Sequence, residues 1–215
     1  MHMAQIKKPL VLITLFVLPV LIYLFFASGV TKFGKLSLMT ENVPEISTSS
    51  TEVVLKDKIT ILGFLGSVNN EREVVAFNLN QKIYKRFYKF NDFQFVMMVP
   101  KGAEEKVEEL KKELGQLEDI SKWNFVFADE SEIRNLFKGL QTNLSLEDDL
   151  GSPKVFIIDK NKNLRGRDND EDEGLKFGYD CTSVSELNNK MVDDVKILLA
   201  EYRMALKSNN AERIK

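Results

Sequence analysis

The chain has 215 residues, Lys+Arg 30 against Asp+Glu 32, a formal net charge of −2, one histidine and one cysteine. Its basic residues are dispersed among acids, which argues against a nucleic-acid partner. His2 precedes a long apolar segment, so the remainder has one thiol, Cys181, and no imidazole. A dithiol, a Cys-His pair, a His/Cys metal cage and a Ser-His-Asp set therefore cannot be built within one copy.

Residues 1–8 are read as a short head. Pro9–Thr31 is a 23-residue run without charge. As a helix it measures about 34 Å, enough for a hydrocarbon core of about 30 Å. It lacks the polar stripe of a soluble core helix, and Pro19 is tolerated in a bilayer. Ala27-Ser28-Gly29 is a weak cleavage site, but the apolar run exceeds the roughly 7–15 residues of a signal peptide. No cysteine ends the run, which excludes a lipoprotein. Lys7 and Lys8 balance Lys32 and Lys35. A short head and a long tail then favour an inner-membrane single-pass anchor with the main domain outside the cytoplasm.

Residues 32–52, with Pro44 and Ser47-Thr48-Ser49-Ser50-Thr51, are expected to be a linker. Residues 53–207 are expected to fold as one domain, and 208–215 to be a polar tail. Ile59–Phe64 is a short β-branched run, predicted as a buried strand. A helical pattern follows from about Glu71 to Phe87. Phe93–Val99 is a second strand, stopped by Pro100. Ala103, Val107, Leu110 and Leu114 sit at helical spacing. Trp123–Ala128 is a third strand. Asp129 and Glu132 have capping-box spacing ahead of Ile133, Leu136, Phe137 and Leu140. Val155–Asp159 is a fourth strand, Asn161-Lys162-Asn163 a turn, and Leu164-Arg165 an antiparallel return. Ser183 and Glu186 have the same spacing at the start of the last helix, with Val184, Leu187, Met191, Val195, Leu198 and Tyr202 on one face. The order βα βα βα ββα predicts an α/β domain with a central mixed sheet and helices on both faces.

These elements resemble the thioredoxin-like superfamily. More narrowly, the apolar amino-terminal run, the strand-loop-helix of Ile59–Phe87, the extra βα unit and the hairpin Phe156-Ile157-Ile158-Asp159-Lys160-Asn161-Lys162-Asn163 resemble the membrane-anchored Sco/SenC group. That group is associated with copper delivery to cytochrome c oxidase. The resemblance spans roughly Val53 to Lys207 and implies a thioredoxin-like fold. It also implies two cysteines, at positions matched here by Ser67 and Glu71, and a copper-binding histidine near Gly151-Ser152-Pro153. None of these is present, and serine and glutamate do not replace soft Cu(I) ligands. Dithiol and peroxidatic chemistry fail for want of a thiolate. A cis-proline is implied at Ser152-Pro153; a trans proline starting a strand is the alternative. What remains is a non-catalytic, cofactor-free domain that binds a protein, with a link to oxidase biogenesis implied by the resemblance; an enzyme or small-molecule binder working from carboxylates is the alternative. The candidate groove comprises Ser67, Asn69, Asn70, Glu71, Ser152 and Pro153.

Other features are weaker. Cys181 precedes a helix N-terminus, which lowers a thiol pKa, but Asp180 opposes that. A packed small residue is the plainer reading, with a copper or redox role across a dimer or with a partner as the alternative. Asp168–Glu173 holds five acids in six residues. Glu173 and Tyr179 stand where a calcium loop beginning at Asp168 needs Gly and Glu. A solvated loop, paired weakly with Arg165 and Arg167, is expected. Met97 and Met98 are adjacent in a strand and point to opposite faces. Glu71 and Glu73 favour a helix N-terminus.

Overall fold

The computed structural model describes residues 13–24, 35–47 and 52–213. The chain divides into two units, Met1–Gly34 and Lys35–Lys215. In the first, α1 (residues 13–24) is helical, and its large apolar side chains are exposed. The rest of the expected anchor, 9–12 and 25–31, lies outside the described residues. Among the described residues no helix is long and apolar enough to cross a membrane.

The second unit is built on one mixed sheet. Its main path is β1 (Ser37–Thr40), β6 (Leu164–Asp170), β5 (Lys154–Ile158), β2 (Ile59–Phe64), β3 (Phe93–Pro100) and β4 (Trp123–Ala128). β7 (Gly174–Lys176) pairs with β6, and β8 (Tyr179–Asp180) with β5. β2, β3 and β4 run parallel, while β5 is antiparallel to β2. The helices are α2 (Asn70–Leu79), α3 (Lys85–Phe87), α4 (Glu104–Gly115), α5 (Glu130–Gly139), α6 (Val184–Glu186) and α7 (Val192–Arg213). π-helical turns at Asn80–Tyr84 and Leu187–Met191 join α2 to α3 and α6 to α7. The expected polar tail is thus helical through Arg213.

Alternation along each strand divides the core. Ile59, Ile61, Phe95, Met97, Val155 and Ile157 face the layer that includes α2, α4 and α7. Leu62, Phe64, Val96, Met98, Phe156 and Ile158 face α5. Met97 and Met98 accordingly lie in separate cores, as a period of two requires. At α5 the Glu132 carboxylate accepts from the Asp129 N–H at 2.8 Å, completing a capping box. At α6 only half of that motif forms. Ser183 Oγ accepts from the Glu186 N–H, but the Glu186 carboxylate accepts from Asp180 N–H instead.

The expected linker is corrected. Ser37–Thr40 pairs antiparallel with β6, Leu36 and Val43 are buried, and Thr40 Oγ1 donates to the Leu140 carbonyl at 2.7 Å. The cause is a distant cation. Arg165, 4% exposed, donates from Nε and Nη2 to the Leu36 carbonyl at 3.1 and 2.7 Å. Arg165 also meets Asp159 Oδ2 at 3.0 Å and Glu201 Oε2 at 2.7 Å. Asp159 is fully buried, and its Oδ1 accepts from the N–H groups of Asn161 and Asn163. One carboxylate therefore shapes the β5–β6 turn and fixes the arginine that holds β1.

Candidate functional site

The strand-to-helix loop after β2 occupies the position where the resemblance implies paired thiols. Leu65 bridges Gly151. Gly66 takes a left-handed φ of 58° and Val68 one of 49°, turning the chain so that Val68 is buried and Ser67 exposed. Asn69 then caps α2, its Oδ1 accepting from the Arg72 N–H at 3.1 Å. Asn69, Asn70 and Glu71 are exposed.

The loop between α5 and β5 folds back onto this turn. Asp149 Oδ2 accepts from the Ser67 N–H at 3.4 Å and from its hydroxyl at 3.1 Å; Oδ1 accepts from the Gly151 N–H at 2.9 Å. Arg72 is 1% exposed. Its Nη2 is bonded to the Glu147 carboxylate and lies 4.0 Å from Asp149 Oδ1. Its Nε is buried without a partner, facing Gly151, where an added Cβ would come within 2.6 Å. Only glycine fits there. Burial pushes Asp149 up, but the Gly151 N–H, the Ser67 donors and Arg72 outweigh it and hold the carboxyl below its ordinary value. A carboxylate so stabilised is a poor base, and Ser67 has no imidazole to activate it.

Ser152 and Pro153 do not form an open edge. Ser152 is buried and donates its N–H to the Phe64 carbonyl at 2.9 Å. The Pro153 carbonyl accepts from the Cys181 N–H at 2.9 Å. No described peptide bond is cis, so Pro153 is trans. The Ser152 N–H and the Pro153 carbonyl are thus already satisfied internally and not free to pair with an extended peptide. Of the six groove residues, Ser67, Asn69, Asn70 and Glu71 share an exposed rim, whereas Ser152 and Pro153 are tied into the sheet. Arg72, Glu147 and Asp149 were not singled out from sequence. Their meeting across 75 residues or more leaves no local pattern.

Cys181 is fully buried and free. Burial pushes its pKa well up, and Asp180 and Glu186 add to this. Its Sγ lies 3.4 Å from the Tyr179 carbonyl. The thiol is thus kept protonated and out of reach.

The acidic tract is corrected as well. Asp170 is buried, and Lys190 Nζ reaches its Oδ1 at 2.7 Å. Burial raises its pKa, but Lys190 and the N–H groups of Asp172 and Glu173 bring it down to about 2. Glu173 meets Lys154 at 2.9 Å and also pairs with the fully buried Lys176, which reaches Glu186 at 2.8 Å. Arg167 clamps Asp194 through two bonds of 2.7 and 3.0 Å, and the Tyr179 hydroxyl donates to Asp194 at 2.6 Å. Buried Lys176 requires partners, and Glu173 supplies one; Asp168, Glu171, Asp172 and Glu173 are nonetheless exposed, so Asp170 is the acid of the tract that leaves the solvated surface. Among the described residues no group of three or more His, Cys, Asp or Glu is placed to hold a metal.

No family model matches the chain, and no curated protein matches it. Solved structures do. A proposed protein disulfide isomerase from Bacteroides thetaiotaomicron superposes with a TM-score of 0.51 at 16% identity, over 80% of this chain and 98% of its own. A proposed electron transfer protein from Aquifex aeolicus gives 0.50 at 18% identity, over 75% and 98%. The apo Sco1 protein from Thermus thermophilus gives 0.49 at 14% identity, over 78% and 97%. The chain thus has a thioredoxin-like fold, here carried by a sequence with a single, buried thiol.

Proposed function

We propose that the chain is a membrane-tethered, non-redox thioredoxin-like domain that holds a protein partner on the extracytoplasmic side. The observation that carries this reading is the site itself. The turn after β2 is closed by Ser67, Asp149, Arg72 and Glu147 without a thiol, and Cys181 is sealed in the core. Recognition then falls to the exposed rim of Ser67, Asn69, Asn70 and Glu71. It proceeds through side chains, because the backbone by Pro153 is already bonded. The exposed apolar helix at residues 13–24 supports the tether. A respiratory oxidase subunit under assembly is the partner class that the Sco/SenC resemblance brings forward.

The test is capture of oxidase subunits by the full chain in mild detergent, beside Asn70→Arg and Glu71→Arg variants. Specific capture that the rim variants lose, together with no catalytic reduction of insulin disulfides, is expected. Disulfide turnover, or tightly held Cu(I) in the monomer, overturns the reading.

A further inference from the structure

At the opposite end of β2 from Ser67 lies a cavity of about 290 Å³. Ile59, Phe90, Phe93, Leu199 and Tyr202 give it largely apolar walls, with Lys160 and Arg203 at its border. Asp92, the one acid in its lining, is bonded to Lys160. Lys58 and Lys122 also act on Asp92, and Lys122 Nζ donates to the Phe90 carbonyl. Phe90 is 46% exposed, with Lys89 beside it in the chain. A chain of net charge −2 thus gathers cations around an apolar opening at this end.

The folded unit begins at the same place. Lys35 Nζ lies 3.8 Å from Glu201, and Glu201 immediately precedes Tyr202 and Arg203 of the cavity. Only Lys32, Phe33 and Gly34 separate Lys35 from the end of the uncharged run at Thr31. Four steps of chain reach at most about 14 Å in any conformation. We infer that this cationic, aromatic face docks on the bilayer and takes anionic phospholipid headgroups, with Phe90 at the interface. The inference rests on the reading of residues 9–31 as membrane-spanning. Juxtamembrane cations are attracted by anionic lipid within about a Debye length, and aromatic rings settle at the headgroup level. The Ser67 rim, beyond the other end of β2, is then presented away from the lipid.

The experiment uses the full chain in lipid nanodiscs, with a spin label at Asn91→Cys beside the cavity or at Asp148→Cys beside the rim. Buried Cys181 stays unlabelled. Access of a water-soluble nickel chelate to each label is measured in discs of phosphatidylcholine alone and of phosphatidylcholine with phosphatidylglycerol. The expected result is several-fold shielding at position 91 in the anionic discs only, lost with Lys89→Glu plus Arg203→Glu and at high salt. Position 148 stays open throughout. Equal access at both positions in both discs, in a chain that resists alkaline extraction, overturns the docking and leaves the anchor reading standing. Equal shielding in both disc types, or in lipid-free detergent, assigns the face to an apolar contact or a second copy and also overturns it. A chain that alkali extracts defeats the anchor reading, and the docking falls with it.

Discussion

Among the described residues two arginines, Arg72 and Arg165, are buried, and replacing each by methionine has different consequences. Arg165→Met removes the cation beside Asp159, whose side chain is 1% exposed. Asp159 keeps its bonds from the N–H groups of Asn161 and Asn163 and from Asn163 Nδ2, but its charge is left without a counterion. The Leu36 carbonyl loses two donors at once. Breaking a buried pair costs about 3–5 kcal/mol, and an orphaned buried carbonyl about 1 more. The retained N–H bonds favour the lower end, giving a net loss of about 4 kcal/mol. Arg72→Met is milder. Its partners Glu147 and Asp149 are 52% and 24% exposed at the side chain, so water takes over much of the lost pairing. The unpartnered Nε disappears as well, and the cost is about 1 kcal/mol. Urea unfolding of the full chain in detergent, followed by the fluorescence of buried Trp123, measures both. At a slope of about 2 kcal/mol/M the midpoint falls by about 2 M for Arg165→Met and by about 0.5 M for Arg72→Met. Equal shifts refute the argument that partner exposure sets the cost.

Cys181 and Asp170 give two further outcomes. Native Cys181 resists an aromatic disulfide reagent at neutral pH and yields one equivalent only on unfolding, since its thiol is buried with a raised pKa; rapid native reaction contradicts this burial. Asp170, held at about 2 against its ordinary 3.8, contributes about 2 kcal/mol at neutral pH. Because the folded pKa is depressed, that stability is complete above the unfolded pKa and is lost as pH falls from about 4 towards 2. The urea midpoint of Asp170→Asn is therefore flatter over that range than that of the native chain, and parallel curves exclude the assignment.

The strands from Ile59 to Ile158 were legible because each carries its own alternation or apolar run, and the helices between them because their apolar residues recur every three or four positions. β1 was not. Ser-Leu-Met-Thr is too short to show a period, and what makes it a strand is Arg165, whose bond to Leu36 spans 129 residues. The acidic tract misled for a similar reason. All five acids read as solvated, yet Lys176 and Lys190, brought in by β7 and the turn before α7, draw Asp170, Asp172 and Glu173 into ion pairs, while Asp168 and Glu171 are exposed as expected. At the candidate site, sequence located the turn at Ser67 and the absence of thiols. It could not show that Asp149 and Glu147 return to close that turn, because long-range ion pairs leave no spacing to read. For Pro153 the resemblance implied a cis bond and the residues alone a trans proline opening a strand; the structure has the trans form, and the backbone bonds around it depend on where Phe64 and Cys181 come to lie.

Since β1 is stitched into the sheet by β6, by Arg165 and by the Thr40–Leu140 bond, a nick between Ser47 and Glu52 would not by itself set the domain adrift. The severed amino-terminal piece would stay clasped as a strand donated in trans. Separating the folded unit from residues 1–34 by proteolysis would then demand a cut ahead of Lys35, or global unfolding. The same clasp offers a natural place to split the molecule into two complementing fragments.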